Sequence, residues 1–287
     1  MRDQRAIIIL LLAAACGPNG RGGGGGGGEN VDAPGNTGDS GQNGCGGLAN
    51  CYSVYAHSDD TLYVVDLNAK TLTTVGKFNT PGGYAITDLA VAPDNTIYVI
   101  SEKGLYTASA TDGHVTSIGS VTACGTQAVA LTTTPNGQIW TGDFMGSLCQ
   151  IDVSTSPPTV MTPVKMQDNM ALSGDLVAID DGTIFGTAYN LNDNSGQGTQ
   201  NSNVLVKVDL ATGAVTMVGA TGYPKLFGTS FASGGVIGFT HDGTGHVVKI
   251  DPTTGVGEMF ATFNDPDTNQ GISFAGAGVN SLISIIE

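Results

Sequence analysis

Val206-Lys-Val-Asp-Leu-Ala-Thr-Gly-Ala-Val-Thr-Met-Val-Gly219 and Val248-Lys-Ile-Asp-Pro-Thr-Thr-Gly-Val-Gly-Glu-Met-Phe260 are two copies of one unit. In each, apolar residues flank a Gly-containing turn on both sides, the pattern of an antiparallel hairpin. Degenerate copies run from Val64 to Gly76, from Leu105 to Gly119 and from Leu148 to Val160. A second hairpin precedes four of the five copies, at Leu89–Val99, Ala130–Trp140, Leu176–Phe185 and Phe231–Phe239. The repeating element is therefore a four-stranded meander with a period of roughly 40 residues, the size of a propeller blade and too short for strand-helix-strand units.

The ends of the repeat region carry the closure. Tyr52 to Phe78 holds the later strands of a blade without an inner one, and Ile272 to Ile286 reads as early strands alone. The two termini are expected to complete one blade together, which leaves no open sheet edge. Ser53–His57 and Ser281–Ile286 both fit the second strand of that blade. The expectation is an all-β propeller of four-stranded antiparallel blades, five in number with six as the alternative.

Composition agrees with this architecture. The 287 residues include 44 Gly, and 21 Asp against 4 Glu, so turn formers outnumber helix formers. A 40% hydrophobic content is enough for a core. The formal charge of -15 argues against nucleic acid and against anionic lipid surfaces as partners.

The N-terminal segment reads as an address. Arg2 and Arg5 precede an apolar run, Ala6 to Ala15, about half the length a membrane-spanning helix needs, so residues 1–15 are expected to be an export signal. Leu12-Ala13-Ala14-Ala15-Cys16 resembles the bacterial lipoprotein box, which implies cleavage before Cys16 and lipid on its thiol. Ala13 departs from the Leu usual there, and Gly17 rather than Asp after the Cys implies the outer membrane. The protein is thus expected on the periplasmic or the cell-surface side, touching membrane only through the anchor. Residues 16–50, with seven consecutive glycines at Gly22–Gly28, form a tether whose ends lie roughly 30 Å apart as a flexible coil. Residues 51–287 form the propeller.

The body resembles the bacterial propellers of the YVTN and quinoprotein-like repeats, whose blades carry an Asp-x-x-Thr-Gly turn. That motif implies a fold and no particular ligand. Asp66, Asp152, Asp209 and Asp251 are accordingly expected to hydrogen-bond their own turns.

In such a blade the tight first-to-second and third-to-fourth turns share one face. The second-to-third loops and the crossovers share the other, and here these are irregular, as loops that carry specificity are. The candidate binding residues on this variable face are Asp59, Asp60, Asp88, Glu102, Gln127, Asp143, Asp175, Asn190, Asp193, His241, Asn269 and Gln270. A polar insertion, Asn190 to Asn203, is its largest feature and is read equally as a cover for the channel mouth or as a bulge without function. Asp88, Asp175 and Asn269, near the starts of innermost strands, could converge on the axis and hold a hard cation such as calcium. The competing reading makes them polar lining of a water-filled channel. No cofactor is required.

Asp265 to Asn269 alternates oxygens but lacks the Gly and the closing Glu of an EF-hand. His241 and His246 flank a turn without zinc-site spacing, and Gly271 to Ala275 only echoes a nucleophile elbow. With Cys16 lipidated, Cys45 pairs with Cys51 and Cys124 with Cys149, as an oxidising compartment allows. The reading is a binding propeller that recognises a small molecule, a glycan or an envelope protein. The alternatives are a cation-dependent hydrolase or lyase with a lactonase-like channel site, and a scaffold without a ligand.

Overall fold

The computed structural model of the chain describes residues 52–121, 124, 127–192 and 203–282. These form five antiparallel sheets, the blades of one ring. The second blade is β4 (Ile86–Val91), β5 (Ile97–Ser101), β6 (Leu105–Ala108) and β7 (Val115–Gly119). The third is β8 (Ala128–Thr133), β9 (Ile139–Asp143) and β10 (Ser147–Asp152), with an outer strand in two pieces, β11 (Thr159–Val160) and β12 (Val164–Lys165). Pro157, Pro158 and Pro163 flank those pieces, and proline has no N–H to give a ladder. β13 (Met170–Ala178), β14 (Ile184–Asn190), β15 (Val204–Val208) and β16 (Val215–Ala220) make the fourth blade. β17 (Leu226–Ala232), β18 (Gly235–Thr240), β19 (His246–Ile250) and β20 (Gly257–Thr262) make the fifth.

The first blade uses both ends of the chain. β1 (Ser53–His57), β2 (Thr61–Asp66) and β3 (Thr71–Lys77) are its outer three strands, and β21 (Gly276–Gly278) is its innermost. The register Tyr55↔Gly278, Ala56↔Ala277 and His57↔Gly276 closes the ring. Ser53–His57 is thus the second strand, and residues 283–286 lie outside the described residues. The signal, the tether, the Cys45–Cys51 pair and Asp193 lie outside them too.

The core is a set of layers between blades. Tyr55 and Leu62 of the first blade pack with Leu89 and Val99 of the second. Ile100 and Leu105 meet Leu131 and Ile139 of the third, and Trp140 and Leu148 meet Leu172 and Val206 of the fourth. A larger layer joins Phe185 and Leu205 to Phe231, Phe239 and Val248, and these to Val54, Tyr63 and Val65 across the seam. Strands with a neighbour on each face are buried on both, as β8 and β9 are, while the outermost β16 has no buried residue.

The Asp-containing turns hold themselves together. The Asp209 carboxylate accepts the N–H groups of Ala211 and Thr212, Asp251 those of Thr253 and Thr254, and Asp66 those of Asn68 and Ala69. Each turn also rests on the outer strand of the blade before it. A Cβ at Gly219 in β16 would sit 2.0 Å from the Thr254 carbonyl oxygen, and one at Gly76 in β3 would sit 1.9 Å from that of Asp112. Glycine on the outer strand is what lets consecutive blades approach. Gly219→Ala is expected to destabilise the fold by more than about 1 kcal/mol in urea unfolding. Gly222→Ala, which meets nothing within 4 Å but needs a positive φ, should cost about 1 kcal/mol. Equal losses would contradict the turn-on-strand contact.

Candidate functional site

An innermost strand has a neighbour on one edge only, so its other edge turns unpaired N–H groups towards the axis, where a buried donor without an acceptor is costly. Four inner strands shift register near their start, at Ile86/Asp88, Ala128/Ala130, Leu172/Leu176 and Leu226/Gly228. Such a bulge re-aims the residues after it. The next backbone N–H in each strand, with Ala277 in β21, points inward: Leu89, Leu131, Leu176, Thr229 and Ala277, one from each blade.

Two carboxyl groups receive all five. Asp88 accepts Leu89 N–H at 2.8 Å on Oδ1 and Leu131 N–H on Oδ2. Asp175 accepts Leu176 N–H at 2.6 Å on Oδ1, with Thr229 N–H at 3.0 Å and Ala277 N–H at 3.3 Å on Oδ2. The remaining three blades carry Ala130, Gly228 and Gly276 just before their inward N–H. Gly276 must be small, because a Cβ there would lie 2.2 Å from Asp88 Oδ1 and 2.4 Å from His57 Nε2, while a Cβ on Gly228 would lie 2.9 Å from the Gly276 carbonyl carbon.

Both acids are fully buried and hydrogen-bonded to each other. Burial, then the Asp175 charge, raises Asp88 well above the usual carboxylate range. Burial raises Asp175 as well, but the hydrogen bond from Asp88 and the three N–H donors favour its charged form. Two carboxyl groups so close and so buried do not both ionise, so the pair shares a proton between them.

His57, the last residue of β1, lies against the same place. Its Nδ1–H donates to the Ser58 carbonyl at 2.7 Å, its ring meets Phe78 edge-on, and its buried Nε2 has no hydrogen-bond partner among the described residues. Burial lowers its pKa from 6.5 to about 4, so the imidazole is neutral. Sequence reasoning missed this residue. Its only signal is a polar side chain ending an otherwise apolar strand, and its neighbours come from β4 and from the far end of the chain.

Towards the variable face lies an aromatic row drawn from two blades. Phe227, in the bulge of β17, stacks on His241 of the β18–β19 loop, with ring centroids 4.7 Å apart and planes 1° from parallel. Phe144 of the β9–β10 loop lies 6.0 Å from Phe227, with its plane tilted by 54°. Tyr189 fixes the Phe144 backbone by donating to its carbonyl, and His241 Nδ1 is anchored on the Phe274 carbonyl. All three rings are half-buried. Phe227 stands at the mouth of the axis, because Gly174 beside the acid pair touches its backbone.

The other expected residues are spread around this face. Asp143 is buried and holds its own loop, accepting the N–H groups of Met145 and Ser147. Asp60 accepts from the Thr61 hydroxyl and Lys77, Glu102 pairs with Lys103, and Asn190 caps the end of β14. Gln127 is exposed beside Cys124, which is bonded to Cys149. Closing that loop stabilises the fold by about 3 kcal/mol in the chain-entropy account.

Asp88 and Asp175 meet at the axis, but Asn269 and Gln270 do not join them. They are exposed on the Asp265 turn, whose carboxylate is occupied by the Asp267 and Thr268 N–H groups and the Tyr63 hydroxyl. Asn269 is thus placed away from any axial cation. Gln270 lines a separate groove of about 570 Å³ with Asp59, Asp60 and Asp267. Nor do the acids line a wet channel, since neither is exposed and their lone pairs already face five N–H donors. A hard cation at the axis, or a carboxylate acting on substrate there, would have to break those bonds first. Among the described residues no group of three or more His, Cys, Asp or Glu is placed to hold a metal ion.

No family model matches the chain, and no curated protein matches it. Solved structures similar to it include a protein of unknown function from Bacteroides caccae, 10% identical with a TM-score of 0.43 over 79% of this chain and 98% of that one. Another protein of unknown function, from Bacteroides thetaiotaomicron, is 14% identical with a TM-score of 0.49 over 79% and 59% of the two chains. Virginiamycin B lyase from Staphylococcus aureus is 12% identical with a TM-score of 0.40 over 77% and 73%. None of the three lends its activity to this chain.

The neutral burial of His57 sets an acid limb of stability. The unfolded chain binds a proton as pH falls through 6.5 and the folded chain does so only near 4, so stability is lost across that window. The whole interval is worth about 3 kcal/mol. His57→Leu should flatten this part of the urea-stability profile relative to the wild type, and an unchanged slope would contradict the assignment.

Proposed function

We propose that the protein is an exported recognition module, anchored in the outer membrane through lipid on Cys16. In this reading the propeller stands clear of the headgroups on its tether and binds a ligand through its variable face. The observation that carries the binding role is the row Phe144, Phe227 and His241, three half-buried rings from two blades at the mouth of the axis. Preassembled, partly exposed rings offer an aromatic surface at little cost in conformational entropy. The surrounding loops supply polar groups to orient what lies on it.

Among the ligand classes open from the sequence, a neutral glycan fits this platform best. A sugar ring has an apolar face to stack and hydroxyls for the loops, whereas an anionic ligand would approach a chain of net charge -15. A small molecule or an envelope protein uses the same face in the alternative forms of this reading. Binding is favoured over catalysis because the fully buried axial carboxyls are committed to backbone donors. Export is supported by the Cys124–Cys149 bond, which belongs to an oxidising compartment.

Titration of neutral envelope glycan fragments against the purified propeller tests the binding role. Phe227→Ala is expected to weaken binding by about tenfold. Val256→Ala, an exposed residue beside a turn on the opposite face, should leave it unchanged. Equal binding by both variants, or none by the wild type across the panel, would overturn the glycan reading. For the anchor, radiolabelled palmitate should enter the wild-type chain in cells and not Cys16→Ser, and label in both would contradict lipidation at Cys16.

A further inference from the structure

β21 is the shortest of the five innermost strands. It is three residues long, two of them glycine, and its ladder to β1 covers only those three positions. Its axial edge is held by the Ala277 N–H, which shares Asp175 Oδ2 with the Thr229 N–H of the fifth blade. One carboxylate oxygen thus ties the C-terminal strand to the neighbouring blade, and that carboxylate is hydrogen-bonded in turn to Asp88.

We propose that the proton shared by Asp88 and Asp175 is a latch: while it is present the ring is shut, and its loss at alkaline pH frees β21 and opens the propeller at its seam. The pair lacks any counter-charge. β4 and β13 contribute the two acids themselves. β8, β17 and β21 contribute backbone N–H groups and no ionisable side chain. β1 contributes His57, whose Nδ1–H is committed to the Ser58 carbonyl and whose burial keeps it neutral. His241, the group coupled to His57, lies at the variable face on the Phe274 carbonyl. No Lys or Arg on these elements faces the pair. A second negative charge would meet the first at hydrogen-bonding range, away from water, and two carboxylates so placed do not both ionise without displacement. The innermost strand with the shortest ladder, β21, is the one that gives way.

Deuterium exchange of peptides covering residues 272–282, corrected for the intrinsic rate at each pH, tests the latch between about pH 5 and about pH 9. The wild type should show opening of β21 that rises by up to about tenfold per pH unit over the range in which the closed ring still holds the shared proton and the opened one has released it, with the β8–β9 hairpin unaffected. Asp88→Asn keeps an N–H donor for Asp175 and one carbonyl oxygen for Leu89 or Leu131, gives up the other of those two bonds, and has no proton to lose, so its β21 exchange should be independent of pH. In the wild type, the infrared band of a protonated carboxyl group should disappear over the same interval as β21 opens, a reading that does not depend on the variant folding. Exchange of wild-type β21 that is flat with pH, the same rise in Asp88→Asn, or an unchanged carboxyl band while β21 opens would each overturn the proposal.

Discussion

Five sheets that radiate from one axis bring five free strand edges together, and the backbone donors on those edges have no water to turn to. Every other feature of the centre follows from that constraint. Two acids, Asp88 and Asp175, collect the N–H groups of Leu89, Leu131, Leu176, Thr229 and Ala277. Gly276, where a Cβ would sit 2.2 Å from Asp88 Oδ1, leaves the acids the room to do so. A third carboxyl would bring more repulsion than acceptor capacity, and apolar residues throughout would leave buried donors unmatched. One proton for two carboxyls is the consequence of packing acceptors into a space that admits a single negative charge.

The periphery solves a different problem. Blades must lie close enough for their apolar faces to interdigitate, yet each carries a self-bonded turn at its outer corner. Glycine on the preceding outer strand, as at Gly76 and Gly219, removes the side chain that would hold neighbours apart. The repeat motif thus has two parts with separate duties: the Asp shapes its own turn, and the glycine ahead of the next turn accommodates it. With centre and rim both fixed, the proposed recognition is left to the variable face, where the aromatic row lies.

Much of this architecture is legible in the chain. The alternation around Asp209 and Asp251 defines hairpins, their spacing defines blades, and the incomplete first and last units reveal closure by both ends. The pairing of Cys124 with Cys149 follows from placing both on one face. Asp88 and Asp175 stand out because they occupy the same place in two repeats. Their chemistry was not legible, since it depends on backbone donors that pattern cannot show. Asn269 illustrates the converse: its alternating oxygens look like ligands, but the Asp265 carboxylate serves its own turn. His57 and Phe227 escaped because their neighbours come from distant repeats, and a single aromatic ring in a bulge carries no periodic signature.

The arrangement at the axis is tested most directly by amide hydrogen exchange, measured residue by residue by NMR at about pH 5. If the two acids take up the five inward donors, the amides of Leu89, Leu131, Leu176, Thr229 and Ala277 exchange as slowly as those in the β8–β9 ladder. Rapid exchange at these five positions, with the ladders still protected, would mean that they face water and that the paired acids do not hold the centre.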